Sequence, residues 1–172
     1  MEKKFLHRSG LVIETDFSNE NPPVFRYRLS ATMVGACSTP KTLCAIMQNP
    51  SEACVEFADR SVQVLERVVF EKDFEELRDI ERLIIVNQFA FIQKRDFVGS
   101  REQIGPQNNA AIDKAIRQSK IILIAWGKNN MFVQRQNEIL EMIRCHEGKR
   151  ILQTSRHPSK VIYSGFIQEL ST

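Results

Sequence analysis

From residue 43 onward the chain repeats one rhythm: a short apolar run, a polar loop, then a longer stretch with apolar positions three and four apart. The runs are Leu43 to Met47, Leu83 to Val86, Ile121 to Ala125 and a weaker Ile151-Leu152 flanked by Arg150 and Gln153. Uninterrupted apolar runs suit strands covered on both faces. Between them Val62, Leu65 and Val69, then Phe74 and Leu77, keep helical spacing, with Asp59 or Ser61 as candidate caps. Pro106 to Ser119 places Ala111, Ile112, Ala115 and Ile116 on one helical face, and Asn130 to Cys145 does the same with Phe132, Ile139, Leu140 and Ile143. Strands that alternate with helices are joined by right-handed crossovers. The pattern predicts a three-layer α/β/α fold on a four-stranded parallel sheet.

The first 40 residues differ. Two extended pieces, Gly10 to Thr15 and Val24 to Met33, flank the turn-rich Asn19-Glu20-Asn21-Pro22-Pro23. In the second, Phe25, Tyr27, Leu29 and Ala31 alternate with Arg26, Arg28 and Ser30, the period of a strand with one wet face. An antiparallel hairpin on the sheet edge or flank is expected, with a loop from Gly35 to Pro40. The chain reads as one α/β domain over residues 1–172, an N-terminal hairpin over 1–40 and a parallel-sheet core over 41–172.

Composition narrows the class. Apolar residues make up 42% of the 172 positions, Gly and Pro number only 7 and 6, and no repeat is present, which argues against disorder. No apolar run approaches the ~20 residues of a membrane helix, and Met1-Glu2-Lys3-Lys4-Phe5 leads into no signal-peptide stretch, so a cytoplasmic protein without membrane contact is expected. Cys37, Cys44, Cys54 and Cys145 form no C-x-x-C pair and read as reduced, mostly buried thiols, with no metal and no cofactor. The net charge of +3 is unevenly spread: 13 basic against 15 acidic residues over 1–100, and 11 against 6 over 101–172. The basic C-terminal part suits phosphates, and equally suits a solvated mixed surface.

Each predicted strand is followed at once by residues a plain loop does not require: Gln48-Asn49-Pro50-Ser51, Asn87-Gln88, Trp126-Gly127-Lys128-Asn129 and Arg156-His157-Pro158-Ser159. All four clusters fall on the carboxyl edge of the sheet, where ligands bind in open α/β folds. Amides present donor and acceptor together and can read a base edge; His157 can donate to a developing anion; Trp126, with Phe89 or Phe91, can stack on a ring. The set suits a planar polar heterocycle. Each residue also has a plainer reading. Asn49-Pro50 and His157-Pro158 are turn formers, Trp126 at a strand end is ordinary core, and Asn87 must find partners or cost about 1–3 kcal/mol. His7 and His146 read as surface residues.

Residues 43–166 resemble a family of bacterial and phage proteins known only as domain of unknown function 1643. The matching residues are Asn49-Pro50-Ser51-Glu52-Ala53, Val86-Asn87-Gln88-Phe89-Ala90, Ile104-Gly105-Pro106-Gln107-Asn108, Ala125-Trp126-Gly127 and His157-Pro158. A more distant resemblance is to the uracil-DNA glycosylase superfamily: Gln48-Asn49-Pro50 looks like its water-activating motif, Asn87 like its base-reading residue, Ile121 to Gly127 like its strand ending in Trp-Gly, and His157 to Phe166 like its last motif. That resemblance implies a four-stranded parallel sheet, a water positioned by Asn49, a base edge bound by Asn87, an anionic leaving base stabilised by His157, and an apolar wedge near Val161; Gln48, Trp126 and Phe57 are the further candidate base contacts. Three departures stand out. Asn49 replaces the stronger Asp, implying slower chemistry; Ser51 replaces the Tyr that excludes thymine, implying a bulkier base; and the nearest candidate for the stacking Phe, Phe57, has the wrong spacing.

Three functions are therefore expected in order: a glycosylase-like protein that recognises and excises a modified or damaged base in DNA, a binding module that keeps the base pocket without the chemistry, and a hydrolase of free nucleosides or nucleotides. The partner is DNA or a free base or nucleotide. Ser51, Lys128, Arg156, Ser159, Lys160 and Val161 are the candidate contacts to the nucleic-acid backbone.

Overall fold

The computed structural model of the chain describes residues 5–128 and 131–170. The expected loop residue Asn129 and helix start Asn130 lie outside the described residues, as do Met1 to Lys4 of the expected leaderless start.

Seven strands form one mixed sheet: β1 (Leu11–Phe17), β2 (Arg26–Met33), β3 (Thr42–Met47), β4 (Arg82–Asn87), β5 (Ile121–Ile124), β6 (Arg150–Thr154) and β7 (Ile167–Glu169). Their spatial order is β1-β2-β4-β3-β5-β6-β7. The sheet is thus larger than the four-stranded parallel sheet expected from the sequence. Parallel pairing does join β4 to β3, β3 to β5 and β5 to β6. The hairpin β1–β2 adds antiparallel to β4, with Leu29 opposite Ile85, and β7 adds antiparallel to β6. Both edges of the parallel block are thereby covered by other strands.

Three helices connect the strands: α1 (Arg60–Phe70), α2 (Asn108–Gln118) and α3 (Val133–Arg144). Alternation along the strands sorts the core into two layers. Leu43, Ala45, Met47, Leu83, Ile85 and Leu123 pack on one face with Val62, Leu65 and Val69 of α1. Cys44, Ile46, Ile84, Val86, Ile122 and Ile124 pack on the other with Ile112 and Ile116 of α2 and Ile139 and Ile143 of α3. Every position of β3 and β5 is buried, the physical reason for their uninterrupted apolar runs.

α1 begins at Asp59, whose carboxylate accepts the Val62 N–H at 2.8 Å, so of the two candidate caps Asp59 is the one used. It ends at Phe70, and Leu77 belongs to a separate short turn, Glu75–Leu77.

Four expectations are corrected. β2 has no continuous wet face: Arg26 and Ser30 are buried, because β2 is an inner strand and its register with β1 shifts between Asp16 and Phe17. Of the cysteines only Cys44 is buried; burial pushes its thiol up to about 12, against a weaker opposing pull from Lys149, while Cys37 and Cys145 are exposed. His7 is not a surface residue. Its ring bridges buried Glu66 at 2.5 Å and the Cys54 carbonyl at 2.8 Å, and the Arg8 N–H donates to the second Glu66 oxygen at 2.9 Å. His146 is likewise part-buried, its Nε2 2.7 Å from Asp113 Oδ1. Among the described residues no helix is long and apolar enough to cross a membrane.

Candidate functional site

The path of the chain creates a crevice at one point on the sheet. From β3 it turns to α1 on one face, and from the adjacent β5 it turns to α3 on the other. The two loops diverge, leaving a gap above the carboxyl ends of the strands, the usual ligand position in open α/β sheets. A cavity of about 540 Å³ occupies it, lined by Gln48 after β3, Trp126, Gly127 and Lys128 after β5, and Ser155, Arg156, His157, Ser159 and Lys160 after β6.

Seven sequence-predicted residues meet there: Gln48, Trp126, Lys128, Arg156, His157, Ser159 and Lys160. Trp126 serves both of its readings, since its side chain belongs to the core beneath α2 and α3 and also forms cavity wall. Gly127 has a positive φ of +81°, and a Cβ there would stand 3.1 Å from the His157 backbone nitrogen. Only a glycine lets the two loops approach this closely.

His157 ends its strand-to-turn segment ahead of the short turn Pro158–Lys160. Its Nδ1 accepts the Ser159 backbone N–H at 3.2 Å and lies 2.9 Å from Ser159 Oγ. Because a backbone N–H can only donate, Nδ1 carries no proton in the neutral ring, which places the hydrogen on Nε2. Burial holds the imidazole below its ordinary pKa; Asp59 pulls the other way and Lys160 adds to the lowering. At neutral pH the ring is an uncharged N–H donor. Around it, Lys128, Arg156 and Lys160 have no carboxylate partner among the described residues, so the cavity rim is cationic.

The remaining predicted residues stand apart from the cavity. Asn49 is half-buried, and its amide nitrogen donates to the Gln93 carbonyl at 2.7 Å and the Pro50 carbonyl at 3.3 Å, stitching the loop after β3 to the loop after β4. Ser51 donates to Asp59 Oδ2 at 2.6 Å. Phe57 sits in the loop before α1, where its carbonyl accepts the Cys54 N–H at 2.8 Å. Val161 rests on the α1-face core, and the neighbouring Ile162 is the exposed apolar residue.

Asn87 is fully buried at the end of β4, and neither atom of its side-chain amide has a partner. The same holds for both amide atoms of Gln88 and for Asn108 Oδ1, while Asn108 Nδ2 donates to the carbonyls of Asn87 and Gln88, each at 3.0 Å. Five unpartnered amide atoms in three mutually bonded residues form a reserve of unused hydrogen-bonding capacity. Alternation from Leu83 and Ile85 puts Asn87 on the α1 face. Arg26 reaches the same layer, donating from Nη1 to the Ala53 carbonyl at 2.9 Å with Nε and Nη2 unpartnered; burial lowers its pKa and Asp59 opposes the lowering.

Sequence reasoning assigned Asp59 only the role of cap. In the fold it is also the hydrogen-bond partner of Ser51 and the nearby negative charge felt by His157 and Arg26. No local signal announces this, because Arg26 and His157 come from β2 and from the loop after β6, far along the chain from the loop that holds Ser51 and Asp59. Ser155, also missed, is the residue between β6 and Arg156.

A protein family described as of unknown function, DUF1643, matches residues 26–159. No curated protein and no solved structure matches the chain.

Proposed function

Since the chain belongs to the DUF1643 family, whose function is unknown, its activity must be argued from the site, and we propose that the crevice recognises a modified or damaged base in DNA and hydrolyses its glycosidic bond. The observation that carries this reading is the state of His157: a neutral ring whose proton is fixed on Nε2, in a cavity with the amide of Gln48, the indole of Trp126 and three cations that have no carboxylate partner among the described residues. A base leaving a sugar departs as an anion. A preorganised neutral donor strengthens its hydrogen bond as that charge develops, which lowers the barrier.

In this reading Trp126 and Gln48 hold the base, and Lys128, Arg156 and Lys160 hold the phosphates that flank it. Asn49, next to the lining residue Gln48 but outside the cavity, orients the attacking water only once its side-chain oxygen, which accepts from Gln48 Nε2 at 3.4 Å, turns toward the crevice. It is a weak activator, having no charge to accept the proton. Asn87 reads the base edge after the loops at 48–57 and 88–98, laced together by Asn49, Gln93 and Pro50, part to admit it.

Base release from oligonucleotides carrying uracil, hypoxanthine or a 5-substituted pyrimidine, followed by mass spectrometry, tests the proposal. Release should fall roughly 10²-fold or more in His157→Ala, the usual loss for one anion-stabilising donor. Release that persists in that variant overturns the role of His157. A second reading, binding without hydrolysis, is favoured by one observation: the Asn49 amide is tied to two backbone carbonyls, and Asp59, the acid whose charge reaches His157, is engaged with Ser51 and the α1 cap. Saturable binding with no release from any oligonucleotide would select it.

A further inference from the structure

A larger cleft, about 1020 Å³, opens on the same carboxyl edge, bounded by Phe89 after β4, Gly105 and Asn109 before and within α2, and Phe132 and Arg135 at the start of α3. Lys128 of the crevice lining, which is exposed, and Met131 of the cleft lining are only three positions apart along the chain, so the two sites are neighbours. We propose that this cleft binds the base adjacent to the one held in the crevice, so that one strand crosses both sites with its linking phosphate at Lys128. The inference rests on the reading of the crevice as a nucleobase site.

The walls suit a flat ring. Phe89 and Phe132 meet edge to face at 5.0 Å, and Phe97 stands edge-on to both at 5.1 and 5.8 Å. Gly99 lies so close to Phe132 that a Cβ would fall 2.1 Å from a ring carbon, which holds the ring against its loop. At the mouth Met131 is 73% exposed and Val133 49%, apolar surface that an unstacked base would cover.

The charges suit a neutral group. Arg101 and Arg135 are balanced by Glu102 and Glu138 in the lining, and Arg135 is already bonded to the Gln88 carbonyl, Asn109 Oδ1 and Glu138. The cleft therefore offers no surplus charge for a phosphate, in contrast to the cationic crevice beside it. Gln88 and Asn108, the chain neighbours of the lining residues Phe89 and Asn109, are fully buried and lie outside the lining. Aromatic walls and balanced charge together suit a nucleobase, and the position beside the crevice suits the neighbouring one.

Equilibrium binding of dUMP, dIMP and 5-hydroxymethyl-dCMP should be compared with the same nucleotides carrying thymidylate linked on the 5′ or the 3′ side. One dinucleotide series should bind roughly tenfold or more tighter than its mononucleotides, the gain of one stacked base. The ratio should fall toward one in Phe132→Ala and in Met131→Ser, the second a surface change that keeps the test valid should the first fail to fold. Mononucleotide binding with no gain from either neighbour overturns the second site and leaves the crevice standing. A gain that survives both substitutions also overturns it, and failure of every nucleotide to bind overturns both readings.

Discussion

At the scale of the residue, His157 carries the clearest consequences. Its pKa is held down by burial, so the folded state binds the proton less readily than the unfolded chain does. Stability is therefore fully present above the unfolded value of about 6.5 and is lost as pH falls through the lower folded value. Denaturant midpoints should drop from pH 7 toward pH 5, and His157→Gln should flatten that dependence; an unchanged slope would contradict the assigned burial. His7 behaves in the opposite way. Burial alone would lower its pKa, but the Glu66 side chain and the Cys54 carbonyl outweigh it and raise the net value. Its contribution is complete below the unfolded pKa and is lost as pH rises through the folded one. Removing its partner by Glu66→Ala leaves His7 Nδ1 and the Arg8 N–H without their acceptor, with only the Cys54 carbonyl still on the ring, and should cost about 3–5 kcal/mol in chemical denaturation.

At the scale of the element, the cap of α1 and the glycine after β5 decide local geometry. Asp59→Ala removes both the Val62 N–H acceptor and the Ser51 partner, and should lower stability by about 1–2 kcal/mol in urea unfolding. Gly127→Ala forces a side chain into a positive φ, a strain of about 1–2 kcal/mol, and presses on His157. Nucleotide affinity should fall more than thermal stability predicts, and an affinity loss absent from this variant would show that the approach of the two loops does not shape the crevice. The elements also show where periodicity informs and where it fails. β3, β4 and β5 were legible because both of their faces are buried, which leaves continuous apolar runs. β7 was not, because Ile167–Glu169 is too short to display alternation and exists through its pairing with β6. In β2 the alternation was present but misleading, since the arginine it marked as wet, Arg26, is held inside by the Ala53 carbonyl.

At the scale of the whole molecule, three of the eleven basic residues in the C-terminal part, Lys128, Arg156 and Lys160, line the crevice. If all three meet phosphates of a single strand, the logarithm of affinity should fall with the logarithm of salt with a slope of about −2, and Lys160→Ala should reduce that slope by roughly 0.7. A slope near zero would favour a free base as the ligand. The amino-acid sequence by itself determined the alternation of strands and helices, the hairpin ahead of them, and the edge on which the polar clusters fall, because hydrophobic period and turn chemistry are local properties. It also placed Gln48, Trp126 and His157 at that edge. Tertiary structure alone decided which of these residues share a cavity, that Asn87 is enclosed and unpartnered, that Asn49 is spent on Gln93, and that Ser159 fixes the proton of His157 on Nε2. Most of those outcomes depend on partners distant along the chain, and the last on how the short turn after β6 folds back on its own histidine, so spacing in the sequence carries no record of them.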